Sequence, residues 1–149
     1  MKKVEKILFP IDFAENFETL LPWVSTFAEK FGATVYVLFV AQDLADFTAF
    51  HVPHGNIKAF QDEVLQAAQQ KMSAVAQEYF KAIPKVETLV MSGLPADKIV
   101  EVANQKGVDL IVMGTHGRKG LEHAIFGSIC EKVIRKASCP VLAINPAKA

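Results

Sequence analysis

The chain has 149 residues, of which 51% are hydrophobic, and its 16 Lys and Arg residues balance its 16 Asp and Glu residues. A chain of this length fits one domain, here residues 1–149, whose core needs neither a metal ion nor a disulfide. Because the sequence contains no block of like charges, the composition argues against electrostatic binding to nucleic acid or to an anionic membrane.

The cysteines and the N-terminal residues indicate a cytoplasmic protein. Cys130 and Cys139 have neither CxxC spacing nor an obvious His partner, so neither a zinc site nor a redox pair is expected. The basic residues 1–6 are followed by only five apolar residues before Asp12, which is too short a run for a signal peptide or a membrane span. We therefore expect a reducing compartment, the cytoplasm.

Apolar runs of strand length alternate along the chain with segments whose apolar residues recur at helical spacing. Gly32 and Gly107 follow the first and third helical patterns, and Pro95 opens the third, as expected for helix ends and a helix start. In chain order, the predicted elements are strand 7–11, helix 20–31, strand 35–40, helix 57–79, strand 86–91, helix 95–106, strand 110–113, helix Ser128–Lys136 and strand Val141–Ile144.

The predicted strands are continuously apolar, which indicates that helices cover both faces of one sheet. With right-handed crossovers, this alternation predicts a doubly wound α/β fold with a parallel sheet. The periodicity leaves the strand order open, since flavodoxin-like and nucleotide-binding arrangements share it. In both arrangements ligands bind beyond the carboxyl ends of the strands, so the residues that follow each strand are the candidate site.

The connection after the fourth strand is the most informative segment. It reads Gly-Thr-His-Gly from Gly114 to Gly117, then nine residues, then Gly127 and Ser128 where the last helix begins. Glycines permit positive φ and close backbone approach, so amides of this loop and of the helix N-terminus can converge on phosphate oxygens. The alternatives are a capping box formed by Ser128 and Glu131, and glycines that serve plain turns. The length favours phosphate binding, because most such connections have about 2–6 residues.

At these residues the sequence resembles the universal stress protein family, whose ATP-binding members carry Gly, two residues, Gly, nine residues, and then Gly with Ser or Thr. The residues that fit this pattern are Gly114, Gly117, Gly127 and Ser128. The pattern is neither the Walker sequence nor the dinucleotide fingerprint. The resemblance covers essentially the whole chain, since residues 10–13 look like the family's first strand end and residues 139–142 like its last strand.

The resemblance implies the strand order 3-2-1-4-5 and a site for ATP, or for AMP or ADP, with Mg²⁺ arriving on the nucleotide. The implied binding residues on the first two strands are Pro10, Ile11, Asp12 and Val40, of which Asp12 and Val40 meet the adenine and ribose end. Those around the ribose and phosphates are Met113, Gly114, His116, Gly117, Gly127, Ser128 and Ile129. From the residues alone, Asp12 has the alternative roles of a turn former or a cap for the helix near Phe17.

Two further features leave alternatives open. Cys130 stands where ATP-binding relatives commonly have a second hydroxyl residue, and a thiol is a poor donor, so it either weakens a phosphate contact or packs inward. His51 and His54 flank two residues of the connection after the second strand. Without a clear set of further ligands, we interpret them as incidental loop residues and expect no protein-bound metal.

Binding is better supported than turnover, because beyond Asp12 the sequence offers no recognisable set of residues for efficient hydrolysis. The expected function is a nucleotide-binding stress or regulatory protein with at most slow hydrolysis, whose ligand orders residues 115–126 and changes a surface offered to partners. The alternatives are a nucleotide-free dimeric adaptor and an ATP-cleaving or adenylating enzyme. The resemblance also implies a homodimer through the apolar fifth strand, formed by Val141, Leu142, Ala143 and Ile144, since an exposed apolar edge tends to pair.

Overall fold

The computed structural model describes residues 1–42, 54–116 and 127–149, with the side chains of residues 54 and 55 excepted. Its strands are β1 (Lys6–Pro10), β2 (Thr34–Gln42), β3 (Val86–Gly93), β4 (Leu110–Gly114) and β5 (Val141–Ile144). Its α-helices are α1 (Leu21–Phe31), α2 (His54–Tyr79), α3 (Pro95–Lys106) and α4 (Ser128–Lys136). Short 3-10 helices cover Phe17–Leu20 and Pro146–Lys148. Every predicted strand and helix is therefore present, and the largest change in a strand is in β2, which begins one residue earlier and ends two residues later than predicted.

The strands form one parallel sheet in the order β3-β2-β1-β4-β5. The doubly wound fold and the strand order implied by the family resemblance are both confirmed. The chain moves outward from β1 through β2 to β3 and then returns to the other side of β1, so β1 and β4 are neighbours, with Ile7 opposite Leu110. At this switch point the connections leave the two strand ends in opposite directions, which opens a crevice at their carboxyl ends.

Both faces of the sheet are buried, as the continuous apolar strands predict. Ile7, Leu8 and Phe9 are consecutive residues of β1, and each has no exposed surface. Because alternate side chains of a strand point to opposite faces, Ile7 and Phe9 join the core beneath α1 and α2. Leu8 joins the core beneath α3 and α4. The sheet therefore separates two apolar layers, which together hold the strand ends in place.

Glycine and proline define the helix ends where the sequence indicates them. Gly32 and Gly107 both have a φ of 64° and follow α1 and α3 as left-handed C-caps. Gly107 donates its amide to the carbonyl of Asn104 at 3.2 Å. Pro95 is the first residue of α3, where its missing N–H costs no hydrogen bond. These signals are local, so the C-terminal end of α1 and both ends of α3 can be predicted without knowledge of the tertiary fold.

Candidate functional site

A cavity of about 590 Å³ lies at the carboxyl ends of β1, β2 and β4 and at the start of α3 and α4. All predicted binding residues that the structure describes line it, namely Pro10, Ile11, Asp12, Val40, Met113, Gly114, His116, Gly127, Ser128 and Ile129. Gly117 lies outside the described residues, as do His51 and most of the 115–126 segment; the side chain of His54 is likewise not described. The sheet order thus brings four separate stretches of sequence to one concave surface.

The N-terminus of α4 opens on this cavity. Gly127 is the N-cap, with φ −67° and ψ 158°, and no side chain caps the helix. The amides of Ser128, Ile129 and Cys130 occupy the first turn, where an α-helix supplies no acceptor, and all three residues line the cavity. The first helical hydrogen bond runs from Glu131 to the carbonyl of Gly127 at 3.0 Å. An anion placed here meets N–H donors and the positive end of the helix dipole.

The capping-box alternative is wrong. Ser128 is the first helical residue rather than the N-cap, so its hydroxyl does not stand where a capping side chain would. Glu131 instead forms an exposed ion pair with Arg135, at 2.9 Å to Nη2. The amide of Gly127 donates to the carbonyl of Thr115, so the donors that the helix start offers begin at Ser128. The Gly127 amide is thus used by Thr115, and the Ser128 amide is the first donor that the helix start offers to the cavity.

The positive φ that glycine permits is not found at Gly114 or Gly127, although Gly32, Gly93 and Gly107 have it. A Cβ on Gly114 would lie 3.4 Å from Cγ of Pro146 and 3.6 Å from Cδ1 of Leu20. These distances are ordinary van der Waals contacts, so a methyl side chain at position 114 would fit against Leu20 and Pro146.

Thr115 links the end of β4 to its surroundings. It is 5% exposed, and its amide donates to the carbonyl of Ile144 at 2.8 Å, which extends the β4–β5 pairing by one residue. Its hydroxyl lies 2.7 Å from Nδ1 of His116, and its carbonyl accepts the amide of Gly127. The two ends of the long connection are thereby joined, which positions His116 and the start of α4 on the same cavity wall.

Asp12 forms the turn that the sequence left open as an alternative. Its Oδ1 accepts the amide of Ala14 at 3.0 Å, and its carbonyl accepts the amide of Glu15 at 3.1 Å. The N-cap of the first 3-10 helix is Asn16, so Asp12 does not cap it. The turn holds the Asp12 carboxyl group at the cavity wall, beside Glu15, which also lines the cavity. A structural role and a ligand contact are compatible at this residue.

Cys130 packs inward. It is 2% exposed and belongs to the core beneath α3 and α4, although it also forms part of the cavity wall. Burial raises the pKa of the Cys130 thiol to about 11, so the side chain is a neutral, largely apolar group near pH 7. Its backbone amide, rather than its sulfur, belongs to the donor set at the start of α4.

The sequence analysis did not predict several cavity residues that β2 and α3 contribute. Leu38 and Gln42 lie two positions on either side of Val40 on β2, and Pro95 and Ile99 begin α3. The period-two alternation of a strand is the signal that connects 38, 40 and 42. Pro95 and Ile99 can be assigned to the cavity only once the strand order is known.

The model of the universal stress protein family matches residues 3–145. The chain belongs to this family. Universal stress protein MJ0531 of Methanocaldococcus jannaschii is 35% identical over 147 residues, which cover 97% of this chain and 84% of the relative. The solved structure of protein MJ0577 is 30% identical with a TM-score of 0.82 over 97% of each chain. A universal stress protein from Archaeoglobus fulgidus in complex with dAMP shares the fold, at 22% identity and a TM-score of 0.66 over 95% of this chain and 98% of that one.

Within residues 1–42, 54–116 and 127–149, this universal stress protein contains no helix with the length and apolar character that crossing a membrane requires.

Proposed function

We propose that this universal stress protein binds ATP, or the related AMP or ADP, in the cavity at the switch point, as a stress-response or regulatory protein of the cytoplasm. The observation that carries the proposal is the first turn of α4, whose amides lack helical acceptors and line the same cavity as Asp12 and Val40. An anion-binding helix start opposite an apolar wall matches a nucleotide, which has a phosphate end and a base end.

The phosphate end belongs at α4. The amides of Ser128, Ile129 and Cys130 supply donors, and His116 lines the wall beside them. Asp12 and Glu15 also line the cavity, and their charge would repel an unshielded polyphosphate. Mg²⁺ bound to the nucleotide phosphates offsets that repulsion, and its preference for oxygen ligands fits carboxylates and phosphates alike.

The base end belongs at β2 and α3. Leu38, Val40, Pro95 and Ile99 give this part of the cavity apolar side chains. The cavity volume of about 590 Å³ lies in the range of about 300–1,000 Å³ that is typical of small-molecule sites. The dAMP complex of a protein of the same fold supports an adenine nucleotide as the ligand class. We propose nucleotide binding rather than efficient hydrolysis, since helix amides and apolar walls hold a nucleotide without supplying a general base for catalysis.

Two measurements test this proposal. Purified protein that is denatured and chromatographed is expected to release an adenine nucleotide, and protein freed of nucleotide is expected to bind Mg²⁺-ATP at one site per chain in a calorimetric titration. No release and no binding heat would contradict the proposal and favour the adaptor. Phosphate or pyrophosphate release well above background, lost in an Asp12→Asn variant, would favour the ATP-cleaving enzyme.

We also propose a homodimer through β5. β5 ends the described sheet next to β4, and each of its residues is only partly buried. Beside it, Trp23, Phe27, Leu142 and Ile144 line a groove of about 290 Å³. The rings of Trp23 and Phe27 stack at 6.5 Å between centroids, and 48% of Trp23 is exposed. An open edge strand flanked by exposed aromatic area favours pairing with a second copy about a twofold axis.

A Trp23→Ser variant tests the dimer. The wild-type protein is expected to sediment as two chains, and the variant as one at the same concentration, because a large apolar contact beside β5 is lost. Phe60→Ser is the matched control, since Phe60 is 54% exposed on α2 and lies outside the groove. A monomeric wild-type protein, or an equally dimeric Trp23→Ser variant, would contradict this interface.

A further inference from the structure

Gln42 stands at the rim of the cavity, at the end of β2. It lies on the same strand face as Leu38 and Val40, which are four and two positions earlier, and all three line the cavity. The side chain is exposed. Its strand partner is Gly93, two residues before α3 begins at Pro95. Gln42 thus places a polar group beside the apolar residues Leu38, Val40 and Pro95 of the cavity, whereas the proposed phosphate site is at the start of α4.

The carboxamide of Gln42 has both a donor and an acceptor, which is the pattern that the edge of a purine base presents. Adenine offers its amino group as a donor beside a ring nitrogen that accepts. A glutamine amide can pair with both groups at once, with its oxygen toward the amino group and its NH₂ toward the ring nitrogen. A ligand whose phosphates lie at α4 and whose base lies between β2 and α3 brings that edge to the rim.

We propose that the Gln42 carboxamide hydrogen-bonds the edge of the nucleotide base and so contributes to base recognition, an inference that rests on the proposed nucleotide site. A carboxylate at this position can only accept hydrogen bonds. It therefore repels the adenine ring nitrogen, which is also an acceptor. The same carboxylate is complementary to the neighbouring N–H donors on the pairing edge of guanine. Residue 42 therefore sets which purine the site prefers.

The test compares Gln42→Leu and Gln42→Glu with the wild-type protein in titrations with Mg²⁺-ATP and Mg²⁺-GTP. Gln42→Leu is expected to weaken ATP binding by about three- to ten-fold, the effect of losing a neutral hydrogen bond. Gln42→Glu is expected to raise the ratio of GTP affinity to ATP affinity by about ten-fold or more. Gln105→Leu is the matched control, because Gln105 is exposed on α3 and outside the cavity.

The ratio separates base recognition from a merely structural role. A distorted strand end would weaken both nucleotides and leave the GTP to ATP ratio unchanged, which would overturn the inference. An ATP affinity of Gln42→Leu equal to that of the Gln105→Leu control would overturn it as well, while the nucleotide site itself would stand. If the wild-type protein binds neither nucleotide, the proposed function fails, and that result is distinct from the other two.

Discussion

Replacing Ser128 with proline is expected to weaken Mg²⁺-ATP binding by about ten- to hundred-fold, the loss of one hydrogen bond to a charged group. Proline is well tolerated as the first residue of a helix, because that N–H has no helical acceptor. The preceding residue must be extended, and Gly127 already has a ψ of 158°. The substitution therefore removes a single amide donor from the cavity while α4 keeps its start.

The matched control is Ser128→Ala, which removes the hydroxyl group and keeps the amide. Its affinity for Mg²⁺-ATP is expected to fall by less than about ten-fold, as for one neutral hydrogen bond. Calorimetric titration of both variants measures the difference, and circular dichroism checks that each retains its helix content. Equal affinities of the two variants would show that the Ser128 amide does not bind phosphate, and the placement of the nucleotide at α4 would then be wrong.

The elements of this fold were predictable because their signals are local. Strand runs such as Val141–Ile144 are apolar throughout, and Pro95 and Gly107 mark the two ends of α3 in the sequence and in the structure alike. The strand order was not predictable from periodicity, since β1 and β4 are about a hundred residues apart and their pairing depends on packing. Resemblance to the family provided that order, and with it the neighbourhood of Asp12 and Gly114.

The candidate site was predicted less completely, for physical reasons that differ between residues. A serine followed three residues later by a glutamate fits a capping box, yet α4 begins one residue earlier than that pattern requires, with Gly127 as the N-cap. Glycine permits the positive φ of a phosphate-binding loop, yet Gly114 does not adopt it. Gln42 was missed because the residues after the apolar run 35–40 read as loop. In the structure, Gln42 pairs with Gly93, so the pairing of β2 with β3 extends the strand.

Phe80→Ala is expected to lower the free energy of unfolding by about 3–5 kcal/mol, the usual cost of emptying a buried aromatic site. Phe80 is 2% exposed and follows α2 directly. Its ring centroid lies 6.2 Å from that of Phe17, in the core between the sheet and α1 and α2. Urea denaturation followed by circular dichroism measures the loss, which corresponds to a fall in Tm of roughly 6–20 °C for a domain of this size.

The control for this prediction is the same substitution on the surface. Phe60→Ala removes an equal side chain from α2, where 54% of Phe60 is exposed, and we expect its free energy of unfolding to stay within about 0.5 kcal/mol of the wild type. Since domains are stable by only about 5–15 kcal/mol, the loss at Phe80 is a large fraction of the total. Equal urea midpoints for the two variants would mean that the packing of Phe80 against Phe17 does not hold α2 to the sheet. In that case the support for the β2 end of the cavity would have to come from α3 and its core.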